Sequence, residues 1–302
     1  MKRLLFIYNP MSGQGKVKAN LSDMVDIFVK AGYEVTCYPT QASRDAVRKA
    51  EADSAGYDLV VASGGDGTLD EVVTGIMRAG SHVPIGYIPA GSTNDYGNSL
   101  GIDKHFTDAA QIAATGQPYT VDVGGFGDGY FIYVAAFGIF TKVSYATPQD
   151  KKNAFGHGAY LFEAAKELKD IPSYMMQVEY DGNVVYDDFI YGMITNSKSV
   201  GGMTGIIPGD INLNDGVFEV NLVKNPKNPI ELSEIVAYLT GTRKESTLVY
   251  SFQTSELRLK SADEIPWTVD GEYGGSFTDL TIRNLHNAVS IMVEKDPDAA
   301  EE

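Results

Sequence analysis

Cysteine, histidine, tryptophan and positive charge are all scarce in this chain. Among 302 residues there are one cysteine, one tryptophan and four histidines. A single thiol, Cys37, cannot close an internal disulfide, so burial and hydrogen bonding must hold the fold, which suits a reducing compartment such as the cytoplasm. His82, His105, His157 and His286 lack the spacing of a metal-binding pair, and no role follows for them. Lys and Arg number 24 against 40 Asp and Glu, a formal net charge of -16. That deficit argues against a general nucleic-acid binder and against membrane attachment through a polybasic patch. Long apolar runs are missing as well. The longest, YFIYVAAFGIF at 130–140, falls short of the roughly 20 residues that a spanning helix needs. The opening MKRLLFIYNP meets Asn9-Pro10 too soon for a signal peptide and reads as a strand. Any membrane contact is expected to be peripheral.

What is present is ordinary globular material, 43% hydrophobic and 21% charged, with enough length to favour two domains. The first part alternates. RLLFIY (3–8), EVTCYP, DLVVAS and PIGYIP read as strands, separated by helical stretches at VKANLSDMVDIFVKAGY, SRDAVRKAEADSAGY (capped by Ser43) and TLDEVVTGIMRAG. Such alternation predicts a doubly wound parallel sheet, with ligands beyond the carboxyl ends of its strands. From about residue 122 strand-like runs follow one another with short turns. The spacing predicts a mostly antiparallel β domain, with Asp181-Gly182-Asn183 as a hairpin turn and helices near 157–169 and 229–241. The expected domains are 1–122 and 123–302, ending in a frayed acidic tail.

Three glycine-bearing loops sit at strand ends: NPMSGQGK (9–16), SGGDGT (63–68) and AGSTNDYG (90–97). Glycine lets main-chain N–H groups approach phosphate oxygens, and a helix that starts there turns its positive end toward them. Alone, each loop reads equally well as a tight turn with Asp66 or Asp95 as a helix cap. Neither a Walker loop nor a GxGxxG fingerprint is present.

Taken in order, NPMSG, GGDGTLDE and GSTND, followed by INLNDGVFEV (211–220) and VDGE (269–272), resemble the diacylglycerol kinase catalytic-domain family of soluble bacterial lipid kinases, related to sphingosine kinases. The resemblance covers nearly the whole chain. It implies an α/β nucleotide-binding domain followed by a β-rich, sandwich-like domain, as in NAD kinase and diacylglycerol kinase folds. It also implies that Asn9, Pro10, Met11, Ser12 and Gly13 line ATP phosphates together with Thr40, Gly65, Asp66, Gly67, Thr68, Leu69, Asp70, Glu71, and Ser92 or Thr93. Met11 stands where the family carries a small polar residue, and its main chain can still serve. Asp66, Asp95 and Asp122 match acidic positions of the family's Mg2+ network. A second, structural cation is implied at Asp215 and the main chain of Asn212 and Val217. Glu272 is implied as the catalytic base, with Asp270 orienting it or extending the metal network. On residues alone, Asp270-Gly271-Glu272 and LNDG would be surface turns.

The chemistry accounts for this set of residue types. Phosphoryl transfer gains most from positioning and charge neutralisation, magnesium keeps several waters and so asks for few carboxylates, and an acceptor hydroxyl needs a base. The implied activity is ATP-dependent phosphorylation of diacylglycerol to phosphatidate, a step of phospholipid biosynthesis, by a cytoplasmic enzyme peripheral to the inner membrane face. The alternatives are an NAD kinase-like phosphotransferase, a kinase for a sphingoid or isoprenoid alcohol, and a binding protein without catalysis. KKNAFGHGAYLFEAAKELK (151–169) is expected to be core packing, or in part a surface that meets membrane or acyl chains. A homodimer is the default assembly.

Overall fold

The computed structural model describes residues 1–102, 104–139, 172–200, 203–204, 211–239, 242–243 and 245–297. The expected segment 151–169 and the tail beyond 297 lie outside the described residues. Four apolar runs form parallel strands β1 (Lys2–Tyr8), β2 (Tyr33–Pro39), β3 (Leu59–Gly64) and β4 (Ile85–Pro89), in the order β4-β3-β1-β2. β1 and β3 have strands on both sides and helices on both faces, which is why they carry unbroken apolar stretches. Leu4 to Ile7 and Val60 to Ala62 have no exposed surface. β2 is the edge strand, and there Cys37 is exposed.

The helices are α1 (Lys16–Ala19), α2 (Leu21–Lys30), α3 (Asp45–Asp53), α4 (Asp66–Ala79), α5 (Asp95–Ser99) and α6 (Phe106–Thr115). α2 packs with α6 and α3 packs with α4. Right-handed crossovers on either side of β1 put the two pairs on opposite faces of the sheet. Two local expectations need correction. The helix predicted as one piece from Val17 breaks at Asn20, whose side chain donates to the Lys16 carbonyl at 2.8 Å and closes α1. Ser43 does not cap α3. The helix begins at Asp45 behind Arg44, at φ 63, and the Glu71 carboxylate accepts the N–H groups of Arg44 and Ala46 at 2.7 and 3.1 Å. The cap is thus supplied by a neighbouring helix, 27 residues along the chain from Arg44.

The remaining strands are β5 (Gln117–Phe126), β6 (Gly129–Phe131), β7 (Val134–Gly138), β8 (Tyr174–Tyr180), β9 (Asn183–Thr195), β10 (Ser199–Val200), β11 (Met203–Thr204), β12 (Phe218–Lys224), β13 (Val249–Thr254), β14 (Glu256–Val269) and β15 (Glu272–Val293), with helix α7 at Pro229–Leu239. Pairings among these strands are antiparallel. Phe126, Phe131, Phe137, Phe189, Phe218 and Trp267 fill their core. Tyr180 pairs directly with Asn183, so the β8–β9 turn is the two residues Asp181-Gly182 rather than three. β15 joins the two halves. It pairs with β14 and β5, and near its end Ile291 lies parallel to Ile85 of β4, which makes one 13-stranded sheet.

Candidate active site

The three glycine loops meet at the carboxyl ends of β1, β3 and β4. The Asn9 N–H donates to the Ser63 carbonyl at 2.9 Å, and the Ala90 N–H donates to the Gly64 carbonyl at 2.7 Å. A Cβ on Gly91 would come within 2.7 Å of the Gly65 Cα, so the second and third loops touch at their glycines. Gly13, at φ 61, would bring a Cβ within 3.2 Å of the Ala90 carbonyl. Thr40 closes the row at the end of β2, its N–H donating to the Tyr8 carbonyl at 2.9 Å. Asn9 bonds the Met11 N–H through Oδ1 at 2.9 Å, which leaves the Met11 side chain 80% exposed. Ser92 and Thr93 are exposed, whereas Leu69 is fully buried, so only its main chain can face a ligand.

Asp66 opens α4 and also organises the third loop. Its Oδ2 accepts the Asp95 N–H at 2.9 Å and its Oδ1 the Tyr96 N–H at 3.3 Å, at the start of α5. Tyr87 places its hydroxyl 3.5 Å from Oδ1 and 3.3 Å from the Gly64 carbonyl. Burial pushes the Asp66 carboxyl up to about 6, with the Asp95 carboxylate adding to the rise and the two N–H donors opposing it. The Asp95 carboxyl is buried and accepts the Ser199 hydroxyl at 2.6 Å. Asp95 therefore sits inside α5, and it is Asp66 that supplies acceptors to the main chain there.

Asp270 and Glu272 reach this place from the other half. Asp270 and Gly271 form a two-residue turn between β14 and β15, with φ of 47 and 85. That backbone suits Asp-Gly in a tight hairpin. The turn is not a surface feature. Asp270 is 6% exposed, its Oδ2 accepts the Ile132 N–H at 2.7 Å, and its Oδ1 accepts those of Tyr133 and Val134 at 3.1 and 2.9 Å. Asp70, on α4, lies against the Asp270 carboxyl, and its Oδ1 is buried without a hydrogen-bond partner. Two carboxyls in contact must share a proton. Burial first, then the Asp270 charge, drives Asp70 far up, and burial raises Asp270 to about 6. Glu272 is exposed at the start of β15, with Oε1 3.7 Å from where a Cβ on Gly67 would stand. A carboxylate of the second half thus lies against the first turn of α4.

The 212–217 segment forms a separate cluster. Asp122, fully buried on β5, accepts the Gly216 N–H at 2.7 Å through Oδ2, and through Oδ1 the Asn287 N–H at 2.7 Å and the His286 Nδ1 at 3.1 Å. Its oxygens are occupied by this segment and by β15, and among the described residues none of these bonds leads to Asp66 or Asp95. Asp215 Oδ1 accepts the Val217 N–H at 3.1 Å, and Asn212 Oδ1 accepts the Asn214 N–H at 3.0 Å. The Val217 carbonyl takes the Asn284 side-chain amide at 3.1 Å, and Asn284 Oδ1 is buried without a partner. An orphan oxygen on the residue that bonds the Val217 carbonyl, in a segment that also carries Asp215, is of the oxygen type that a hard cation takes. Around Asp66 the fit is of another kind. Among the described residues no group of three or more His, Cys, Asp or Glu is arranged to hold a metal. Buried acids held near neutrality suit an ion that arrives with a nucleotide and keeps its waters.

Sequence reasoning missed the Asp70–Asp270 contact, the Glu71 cap, Tyr87, Ser199 and the His286–Asp122 contact. All are long-range pairings without a local pattern to mark them.

Comparison with known proteins bears on the family. The diacylglycerol kinase catalytic domain matches residues 3–126, and the YegS C-terminal NAD kinase beta sandwich-like domain matches 134–293. A curated protein of Staphylococcus aureus (strain bovine RF122 / ET3-1) named diacylglycerol kinase is 34% identical over 98% of this chain and 93% of its own. The counterpart from strain MRSA252 gives the same figures. Among solved structures, a Bacillus anthracis str. Sterne candidate diacylglycerol kinase superposes with a TM-score of 0.83 at 23% identity, covering 97% of this chain and 95% of that one. The last comparison speaks for the fold, and the others carry the assignment: the chain belongs to the diacylglycerol kinase catalytic-domain family.

Proposed function

We propose that the chain transfers the γ-phosphoryl group of ATP to the free hydroxyl of diacylglycerol, giving phosphatidate at the cytoplasmic face of the membrane. The observation that carries this reading is the approach of Glu272 to Gly67, which sets a carboxylate from one half at the helix start where the glycine loops of the other converge. In it, residues 1–122 serve the nucleotide and 123–302 the lipid. The main chain of Asn9 to Gly13, Gly65 to Glu71 and Ser92 to Thr93, with Thr40, lines the phosphates. Asp66 and Asp95 would hold Mg2+, which would supply neutralisation of phosphate charge. Asp122 supports the 212–217 loop, whose Asp215, Asn212 carbonyl and Val217 carbonyl would hold the structural cation. Asp270 fixes the turn that aims Glu272. Glu272 accepts the proton of the lipid hydroxyl as its oxygen attacks.

Membrane contact is peripheral in this reading, and among the described residues no helix is long and apolar enough to cross a membrane. The test is transfer from labelled ATP to a panel of diacylglycerol, sphingosine, a long-chain isoprenoid alcohol and NAD. Diacylglycerol should be labelled first, Asp66→Ala should abolish transfer, and Glu272→Gln should keep nucleotide binding while losing turnover by at least about a hundredfold. Preferential labelling of NAD, or wild-type turnover by Glu272→Gln, would overturn it.

A further inference from the structure

We propose that the Tyr133 hydroxyl is a direct partner of the acceptor, donating a hydrogen bond to the attacking oxygen while Glu272 takes that oxygen's proton. The role rests on the lipid-kinase reading above.

Tyr133 lies in the bend between β6 and β7, and its main chain is fixed on both sides. Its N–H donates to Asp270 at 3.1 Å, and its carbonyl accepts the Asn196 N–H at 3.0 Å and the Thr195 hydroxyl at 2.6 Å. The side chain is 8% exposed and packs in the core that the first half shares with β7. Its hydroxyl stands 3.6 Å from where a Cβ on Gly271 would be, between the residues that carry Asp270 and Glu272. Besides burial, the charges that act on the phenol are, in order, those of Asp270, Asp66, Asp95 and Asp70. Burial and these acids push its ionisation well above the ordinary tyrosine value, and it keeps its proton at neutral pH.

A buried phenol ordinarily finds a hydrogen-bond partner. Tyr87, from the opposite side of the same acid cluster, has two. The Tyr133 hydroxyl makes no hydrogen bond among the described residues, although its backbone is held by three. The hydroxyl oxygen is not sealed off by protein, and as a neutral donor beside the Asp270–Glu272 turn it can donate to an oxygen brought by substrate. A lipid hydroxyl offers one proton and two lone pairs. The proton goes to Glu272, one lone pair accepts from Tyr133, and the other forms the bond to the γ-phosphorus. The bond from that phosphorus to the β–γ bridging oxygen breaks, its electron pair leaves with ADP, and the phenol proton stays where it was.

The experiment compares wild-type and Tyr133→Phe proteins with dioleoylglycerol and with its deoxy analogue, the dioleoyl ester of propane-1,2-diol. Phenylalanine keeps the ring and all three backbone bonds. Transfer to dioleoylglycerol should fall by about 10- to 100-fold, while the inhibition constant of the deoxy analogue, the nucleotide dissociation constant and the melting temperature stay unchanged. Transfer within twofold of wild type would overturn the role. So would a parallel weakening of the deoxy analogue, which would make Tyr133 a packing residue. Should the variant not fold, wild type alone decides: binding the deoxy analogue as tightly as dioleoylglycerol would overturn the proposal. A wild-type protein inert toward every lipid alcohol would instead overturn the lipid-kinase reading, and this role with it.

Discussion

Asp181-Gly182 and Asp270-Gly271 have the same two residues and nearly the same backbone, with φ of 46 and 77 in one turn and 47 and 85 in the other. Each closes a two-residue hairpin. At the first, both residues are exposed, nothing lies within 4 Å of a Cβ on Gly182, and Asp181 accepts one hydroxyl, from Thr254 at 3.0 Å. At the second, the aspartate is buried, accepts three N–H groups and touches a carboxyl of the other half. Local sequence sets the shape of the turn. Whether the turn is an end or a working part depends on what the rest of the chain folds against it.

The largest expected contrast comes from Asp270→Ala, which strands three N–H donors and frees the Glu272 turn. Turnover should drop by more than about a hundredfold and stability by about 2–3 kcal/mol, read by lipid phosphorylation and urea unfolding. Retained turnover would erase the distinction between the turns.

Acid–base linkage comes next. Asp66 and Asp270 sit near 6 in the folded protein against 3.8 for a free carboxyl. Because both are raised, the native state binds these protons more tightly. Their contribution to stability is fully present below 3.8 and is lost as pH rises through 6. Nucleotide-free protein should therefore gain stability from pH 7 to pH 5 by about 1–2 kcal/mol more than Asp66→Ala does. Magnesium nucleotide, which favours the ionised acids, should shrink that gap and release protons at pH 6, measurable by calorimetry in two buffers.

Alanine at the two turn glycines sharpens the comparison further. Positive φ should cost about 1 kcal/mol at either position, so denaturation should not tell Gly182→Ala from Gly271→Ala. Turnover should, since only Gly271 borders Tyr133 and Glu272. The smallest effect belongs to Asp181→Ala, about 0.5–1 kcal/mol for one exposed hydrogen bond, with phosphorylation unchanged.

Much of this was legible in the residues. Apolar runs separated by amphipathic stretches foretell the parallel sheet, and the glycines at 13, 65 and 91 foretell where its strands end in close backbone contact. Helix ends were less so. Ser43 carries the local mark of a cap, yet Glu71 wins because a carboxylate already fixed on α4 reaches two N–H groups together. Tyr133 was hidden for a different reason. In YFIYV it reads as core, which its ring is, and only the tertiary structure turns the hydroxyl toward the acids. The partners of Asp122 were hidden too, since its three donors are Gly216 and, on β15, His286 and Asn287, all far away in sequence.

β15 has one more bearing, on biosynthesis. Ile291 fastens beside Ile85, yet it is translated some two hundred residues later. The half built on β1 to β4 must wait with a bare sheet margin next to β4 until residue 291 has left the ribosome. Non-local closure of this sort slows folding and lengthens exposure to wrong partners. A premature stop before residue 290 would therefore damage the earliest-made part of the molecule as well as the latest.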